Sequence, residues 1–78
     1  MTMSARFRRD MHISIPYNVY AGFMRGETVE VHVNAAYHPQ VGEECAATAG
    51  KSPDSIARIV AVGRTDERKT QVRIVKVP

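Results

Sequence analysis

A chain of 78 residues with a net charge of +3 and a single cysteine has room for one domain and one core, and its lone thiol excludes an internal disulfide. No apolar run reaches the roughly 18 residues of a membrane-spanning helix, and residues 1–15 lack the apolar stretch of about 7–15 residues that a signal peptide needs. These features predict a soluble protein of the reducing cytoplasm. Chains this small bury only about 60% of their unfolded surface, so a partner has room to add stability.

The charge is unevenly spread. Residues 1–26 carry Arg6, Arg8, Arg9 and Arg25 against Asp10, a net of +3. Residues 27–54 carry Lys51 against Glu27, Glu30, Glu43, Glu44 and Asp54, a net of −4. Residues 55–78 carry Arg58, Arg64, Arg68, Lys69, Arg73 and Lys76 against Asp66 and Glu67, a net of +4. Positive lobes of this kind raise the encounter rate with polyanions, and they equally serve as solvated charge.

In chain order, residues 1–10 show no apolar period and are expected as a flexible basic arm. Residues 11–78 are expected to form one β-rich domain. Ile13 and Ile15 mark a short strand. Pro16, Val19, Tyr20, Phe23 and Met24 then fall at the spacing of one helical face, with proline at its preferred first position. Gly26 stands where a left-handed residue would end the helix, and Gly22 weakens it by up to about 1 kcal/mol relative to alanine.

From residue 28 the period becomes two. Val29, Val31 and Val33 point one way, and Thr28, Glu30, His32 and Asn34 point the other. Residues 35–37 are expected to extend the pairing, and residues 38–42 form a turn in which Gly42 is free to take positive φ. Residues 43–49 read as a strand of small side chains and residues 50–55 as a loop. Residues 56–62 are almost continuously apolar, which predicts a strand buried on both faces. Residues 65–69 form a charged connection to a last strand over residues 70–77, where the change of apolar phase predicts a bulge or a strand covered differently at its two ends. The order strand, helix, then four strands predicts a mainly β, α+β domain. Its five strands either close into a small barrel or form a strongly curved sheet with one helix packed across it.

The stretch from the helix to Gly42 is similar to the amino-terminal half of ASCH-type domains of the PUA-like superfamily, and the closing hairpin over residues 56–77 fits the general layout. There a helix runs into a G-x-K-x-x-E-x-R strand and then a V-G-D turn. Phe23-Met24-Arg25-Gly26 resembles the helix end, residues 27–32 the signature strand, and Val41-Gly42-Glu43 the turn. The resemblance implies a five-stranded PUA-like barrel and RNA or nucleotide binding. The chain departs from the pattern in a spacing one residue shorter, a missing lysine, and His32 at the arginine position. Some relatives are implied to be nucleoside amidohydrolases that rely on that lysine. Its absence makes a non-enzymatic module the expectation here, with no catalytic residue assigned.

The candidate ligand-binding residues are Arg25, Glu30, His32, Asn34, Tyr37, Lys51, Arg58 and Arg73. Glu30, His32 and Asn34 recur about every 7 Å along one strand face, where a carboxylate, an imidazole and an amide can read a base edge. Arg25, Lys51, Arg58 and Arg73 would meet phosphates. Tyr37 is the best placed of the tyrosines to stack a base, while Tyr20 belongs to the helix's apolar face. The spacings of His32, His38 and Cys45 do not match a zinc site, so no metal or cofactor is expected, and Cys45 reads as a small buried side chain. Gly50-Lys51-Ser52 lacks the first glycine of a phosphate loop. The alternative function is a protein–protein interaction module, such as a small phage or prophage accessory factor.

Overall fold

The computed structural model describes residues 6–50 and 54–78. The elements, in chain order, are β1 (Arg6–Ser14), α1 (Tyr17–Met24), β2 (Val29–Asn34), a 3-10 turn (Ala35–Tyr37), β3 (Glu43–Thr48), β4 (Ser55–Asp66) and β5 (Lys69–Lys76). The strands make a single mixed sheet in the order β1-β3-β4-β5-β2, in which β1 and β3 are parallel and all other neighbours antiparallel. The domain is therefore mainly β with one helix, and the sheet stays open, with β1 and β2 at its edges. The expected barrel closure does not occur, because β1 and β2 lie at opposite ends of the strand order.

The helix connects the two edge strands and lies across one face of the sheet. Pro16 is its N-cap rather than its first helical residue. At its end Gly26 takes φ 87°, the Gly26 N–H donates to Phe23 O at 3.0 Å, and the Glu27 N–H donates to Gly22 O at 3.0 Å. These two bonds satisfy helix carbonyls in the Schellman arrangement. Phe23 is buried beneath the helix. It joins Met11, Ile13, Val31, Val33, Cys45, Ala57, Ile59, Val72 and Ile74 in one core. Val19, Tyr20 and Tyr37 pack at its margin.

Residues 6–10, expected in a flexible arm, instead form the first half of β1, with Arg6 beside Glu43 and Arg8 beside Cys45. Residues 1–5 lie outside the described residues. The reason for the strand is ionic. Glu43 is only 6% exposed. Its Oε1 accepts from Arg8 Nη1 at 3.1 Å and from the Gln40 N–H at 2.9 Å, and Arg6 Nη2 lies 3.7 Å from its Oε2. Arg8 also donates to Tyr37 O at 2.6 Å and to both Asp10 carboxylate oxygens. The register then slips between Arg8 and His12 before regular pairing resumes.

Residues 35–37 turn away in 3-10 geometry instead of extending β2, held by Asn34 Oδ1 accepting from the Ala36 N–H at 2.9 Å. β4 runs longer than expected, to Asp66, and only Glu67 and Arg68 separate it from β5. Its apolar run is buried on one face only: Ala57 and Ile59 are in the core, while Ile56 is 41% and Val60 39% exposed. With α1 as the only layer on the sheet, the opposite face has no cover among the described residues. The bulges lie in β4 rather than β5. Its register slips by one residue between Ile59 and Ala61 and by another between Val62 and Thr65. Extra residues of this kind bend a strand and increase its twist, while β5 keeps Thr70, Val72 and Ile74 in phase on the core side.

Candidate ligand-binding site

The uncovered face of β2, β5 and the far half of β4 carries the candidate site. Two adjoining hollows share Gln71. One of about 430 Å³ is lined by His32, Arg64, Asp66, Glu67, Lys69 and Gln71. The other, of about 250 Å³, is lined by Glu30, Ala61, Val62, Gly63, Gln71, Val72 and Arg73. The two-residue period of β2 places Glu30 and His32 on this face because Val31 and Val33 are committed to the core. Cross-strand pairing then sets Arg73 opposite Glu30 and Gln71 opposite His32. The β4 bulges let Gly63 pass close to β5: a Cβ there would stand 3.2 Å from Gln71 Oε1.

The side chains form a linked polar surface. Gln71 Nε2 donates to Glu30 Oε2, and Arg73 Nε lies 4.0 Å from Glu30 Oε1. Among the described residues Arg64 and Lys69 make no ion pair. Both cations therefore remain available to an anion. The groove offers two cations without an ion pair, the carboxylates of Asp66 and Glu67 beside them, a third cation shared with Glu30, an amide and an imidazole, and its lining includes no Phe or Tyr.

Three of the residues expected from sequence, Glu30, His32 and Arg73, meet in this groove. Arg58 lies further along the same face but is paired, its Nε 2.8 Å from Glu44 Oε2 on the neighbouring strand. Arg25 stands at the helix C-cap with its Nε 2.9 Å from Glu27 Oε2, outside the groove. That pairing holds the Arg25 guanidinium above its ordinary pKa and the Glu27 carboxyl below its own. Asn34 caps the 3-10 turn with its side chain. Tyr37 is half-buried against the core, and its carbonyl accepts from Arg8. Lys51 lies outside the described residues. Arg64, Asp66, Lys69 and Gln71 were not singled out as site residues, since residues 65–69 read as a connecting loop. The signal present was the basic carboxy-terminal third, whose charges prove to belong to a strand pair.

Elsewhere, Cys45 is fully buried, and burial pushes its thiol up to about 11. Among the described residues no three His, Cys, Asp or Glu side chains gather closely enough to hold a metal ion. No helix among them is long and apolar enough to cross a membrane. Comparison of the chain with known protein families, with curated proteins and with solved structures finds no match.

Proposed function

We propose that this chain is a non-enzymatic RNA- or nucleotide-binding module whose ligand lies in the groove on the open face. The observation that carries this reading is that Arg64 and Lys69 line one hollow with His32, Gln71, Asp66 and Glu67, while Arg73 lines the adjoining one with Glu30 and Gln71. Unpaired cations attract phosphates through counterion release, while an imidazole and an amide at fixed spacing can hydrogen-bond to base edges. The larger hollow, about 430 Å³, falls within the range of small-ligand sites. The likeness of residues 27–32 to the ASCH signature strand supports the same ligand class, although the open sheet differs from a PUA-like barrel. Recognition rests on phosphate and edge contacts, because Tyr17, Tyr20 and Tyr37 all lie outside the groove.

Fluorescence anisotropy with single-stranded and structured RNA at low salt tests this. Binding is expected to weaken steeply with salt. Substituting both Arg64 and Lys69 by Ala is expected to flatten the logarithmic salt slope on single strands by about 1.4, or about 0.7 per lost phosphate contact. Failure of both RNAs to bind, or a salt dependence no steeper than for a neutral control protein, overturns the reading.

A second reading, a protein-interaction module, draws on the bare apolar positions Ile56 and Val60 of the same face. A partner that stays with the chain through nuclease treatment would favour it.

A further inference from the structure

The two edges of the sheet differ sharply. The outer strand β1 carries Arg6, Arg8 and Arg9 and a register slip after Arg8. Charged side chains and irregularity are the usual devices that keep an edge from pairing with another chain. The other edge, β2, has no irregularity and a single charged side chain, Glu30. Its sequence Val-Glu-Val-His-Val-Asn contains no lysine, arginine or proline, and its six pairs with β5 run without a slip.

The direction of its backbone groups follows from one bond. The Ala35 N–H donates to Arg68 O at 2.8 Å. Hydrogen-bonded and non-hydrogen-bonded pairs alternate along an antiparallel ladder. Val33, Val31 and Val29 therefore direct their N–H and C=O groups to β5, and Glu30 and His32 direct theirs outward. Among the described residues no other backbone group bonds to those of Glu30 or His32. The edge is thus a short, regular row of donors and acceptors left over by the fold.

We infer that β2 is the interface of a two-fold symmetric dimer, in which it pairs antiparallel with β2 of a second copy about an axis at Val31. The outward backbone groups of Glu30 and His32 and the side-chain chemistry together select this register. Each core-facing valine meets a valine, Val31 against Val31 and Val29 against Val33 of the second copy, so both inner faces stay apolar. Glu30 stands opposite His32 of the second copy, and His32 opposite its Glu30. These are the residues whose backbone groups point outward, so they form the hydrogen-bonded pairs of the new ladder. On the open face the row across the junction reads Arg73, Glu30, His32 of the second copy, Gln71 of the second copy. A carboxylate lies between a guanidinium and an imidazole N–H donor. An isologous interface needs this self-complementarity, and opposite polar partners directly across strands favour pairing. The result is one ten-stranded sheet with the two grooves flanking the axis on the same face.

The dimer does not depend on RNA binding, so its test needs no ligand. Sedimentation equilibrium of the full chain over a wide concentration range is expected to show a monomer–dimer equilibrium, and the Glu30 and His32 amides are expected to be protected from hydrogen exchange in the dimer. His32→Pro removes an outward N–H without breaking the bonds to β5, since proline is tolerated on the free side of an edge strand. It is expected to raise the dissociation constant at least about tenfold while circular dichroism stays that of the folded sheet. E30K and H32E, each expected to weaken self-association, are expected to dimerise when mixed, because the new ammonium group of one then faces the new carboxylate of the other. A wild-type chain that stays monomeric with freely exchanging Glu30 and His32 amides overturns the dimer and leaves the edge to a foreign strand. A dimer untouched by His32→Pro, or folded E30K and H32E chains that do not associate on mixing, overturns this interface.

Discussion

Glu43 occupies the core-facing end of β3, where the neighbouring inward positions are Cys45 and Ala47. A carboxylate is tolerated there because Arg8, Arg6 and the Gln40 N–H surround it. Hydrogen bonds to Asp10 and then to Glu43 hold the Arg8 guanidinium charged, above its ordinary pKa, and Arg8 in turn holds the Asp10 carboxyl below the usual range. Removing one partner of a buried pair strands the other charge, which commonly costs about 3–5 kcal/mol. Arg8 keeps Asp10 and the Tyr37 carbonyl, so Glu43→Ala is expected to cost roughly 2–3 kcal/mol, read as a lower urea midpoint at unchanged slope. Cys45, two residues on, gives a pH signature. Its pKa is raised in the folded chain to about 11 from 9.0. A raised folded-state value means that stability is complete below pH 9 and falls as pH rises through 11, because the unfolded thiol ionises first. The expected loss is on the order of 2–3 kcal/mol. Urea titrations of wild type against Cys45→Ala across that window are expected to converge as the wild type loses this contribution.

At the level of elements, the β4–β5 hairpin shapes the groove. Two extra residues in β4 curl it over β5 and bring Arg64 and Asp66 beside His32 and Gln71. Its turn is suboptimal, since Glu67 takes φ 59°. An L-residue with a long side chain pays roughly 1–2 kcal/mol in the left-handed region, which asparagine populates far more readily. Glu67→Asn is expected to stabilise the hairpin by about 0.5 kcal/mol, raising the melting temperature by about 2–4 °C for a chain of this size. An unchanged or lower melting temperature would show that Glu67 makes a compensating contact. The helix has the opposite character: its termination at Gly26 is well satisfied, and Phe23 anchors its short span.

At the scale of the whole molecule, one helix packs on one face of a five-stranded sheet, and among the described residues no layer covers the other. That single layer explains both the shallow polar groove and the exposed Ile56 and Val60. Much of this plan was legible beforehand: five strands, one helix, Gly26 and Gly42 at positive φ, and Glu30 and His32 sharing a face. The residues that misled were those whose partners are remote. Arg8 looked like part of an arm because its partner Glu43 is 35 positions away, and an ion pair leaves no apolar period. The apolar run of residues 56–62 looked doubly buried because periodicity does not reveal whether a second layer exists.

The alternation of residues 28–34 by itself determined which β2 side chains enter the core and which stay outside, since burial of one face dictates a period of two. Glycine's freedom at positive φ likewise set the ends of α1 and of the turn before β3. Only the tertiary structure decided that β1 would lie parallel to β3, that β2 would be left at an edge, and that Arg64, Lys69 and Gln71 would gather beside Glu30 and His32. Strand partners are chosen by non-local pairing energies and by the bulges that steer β4, and neither is encoded in any one segment's pattern.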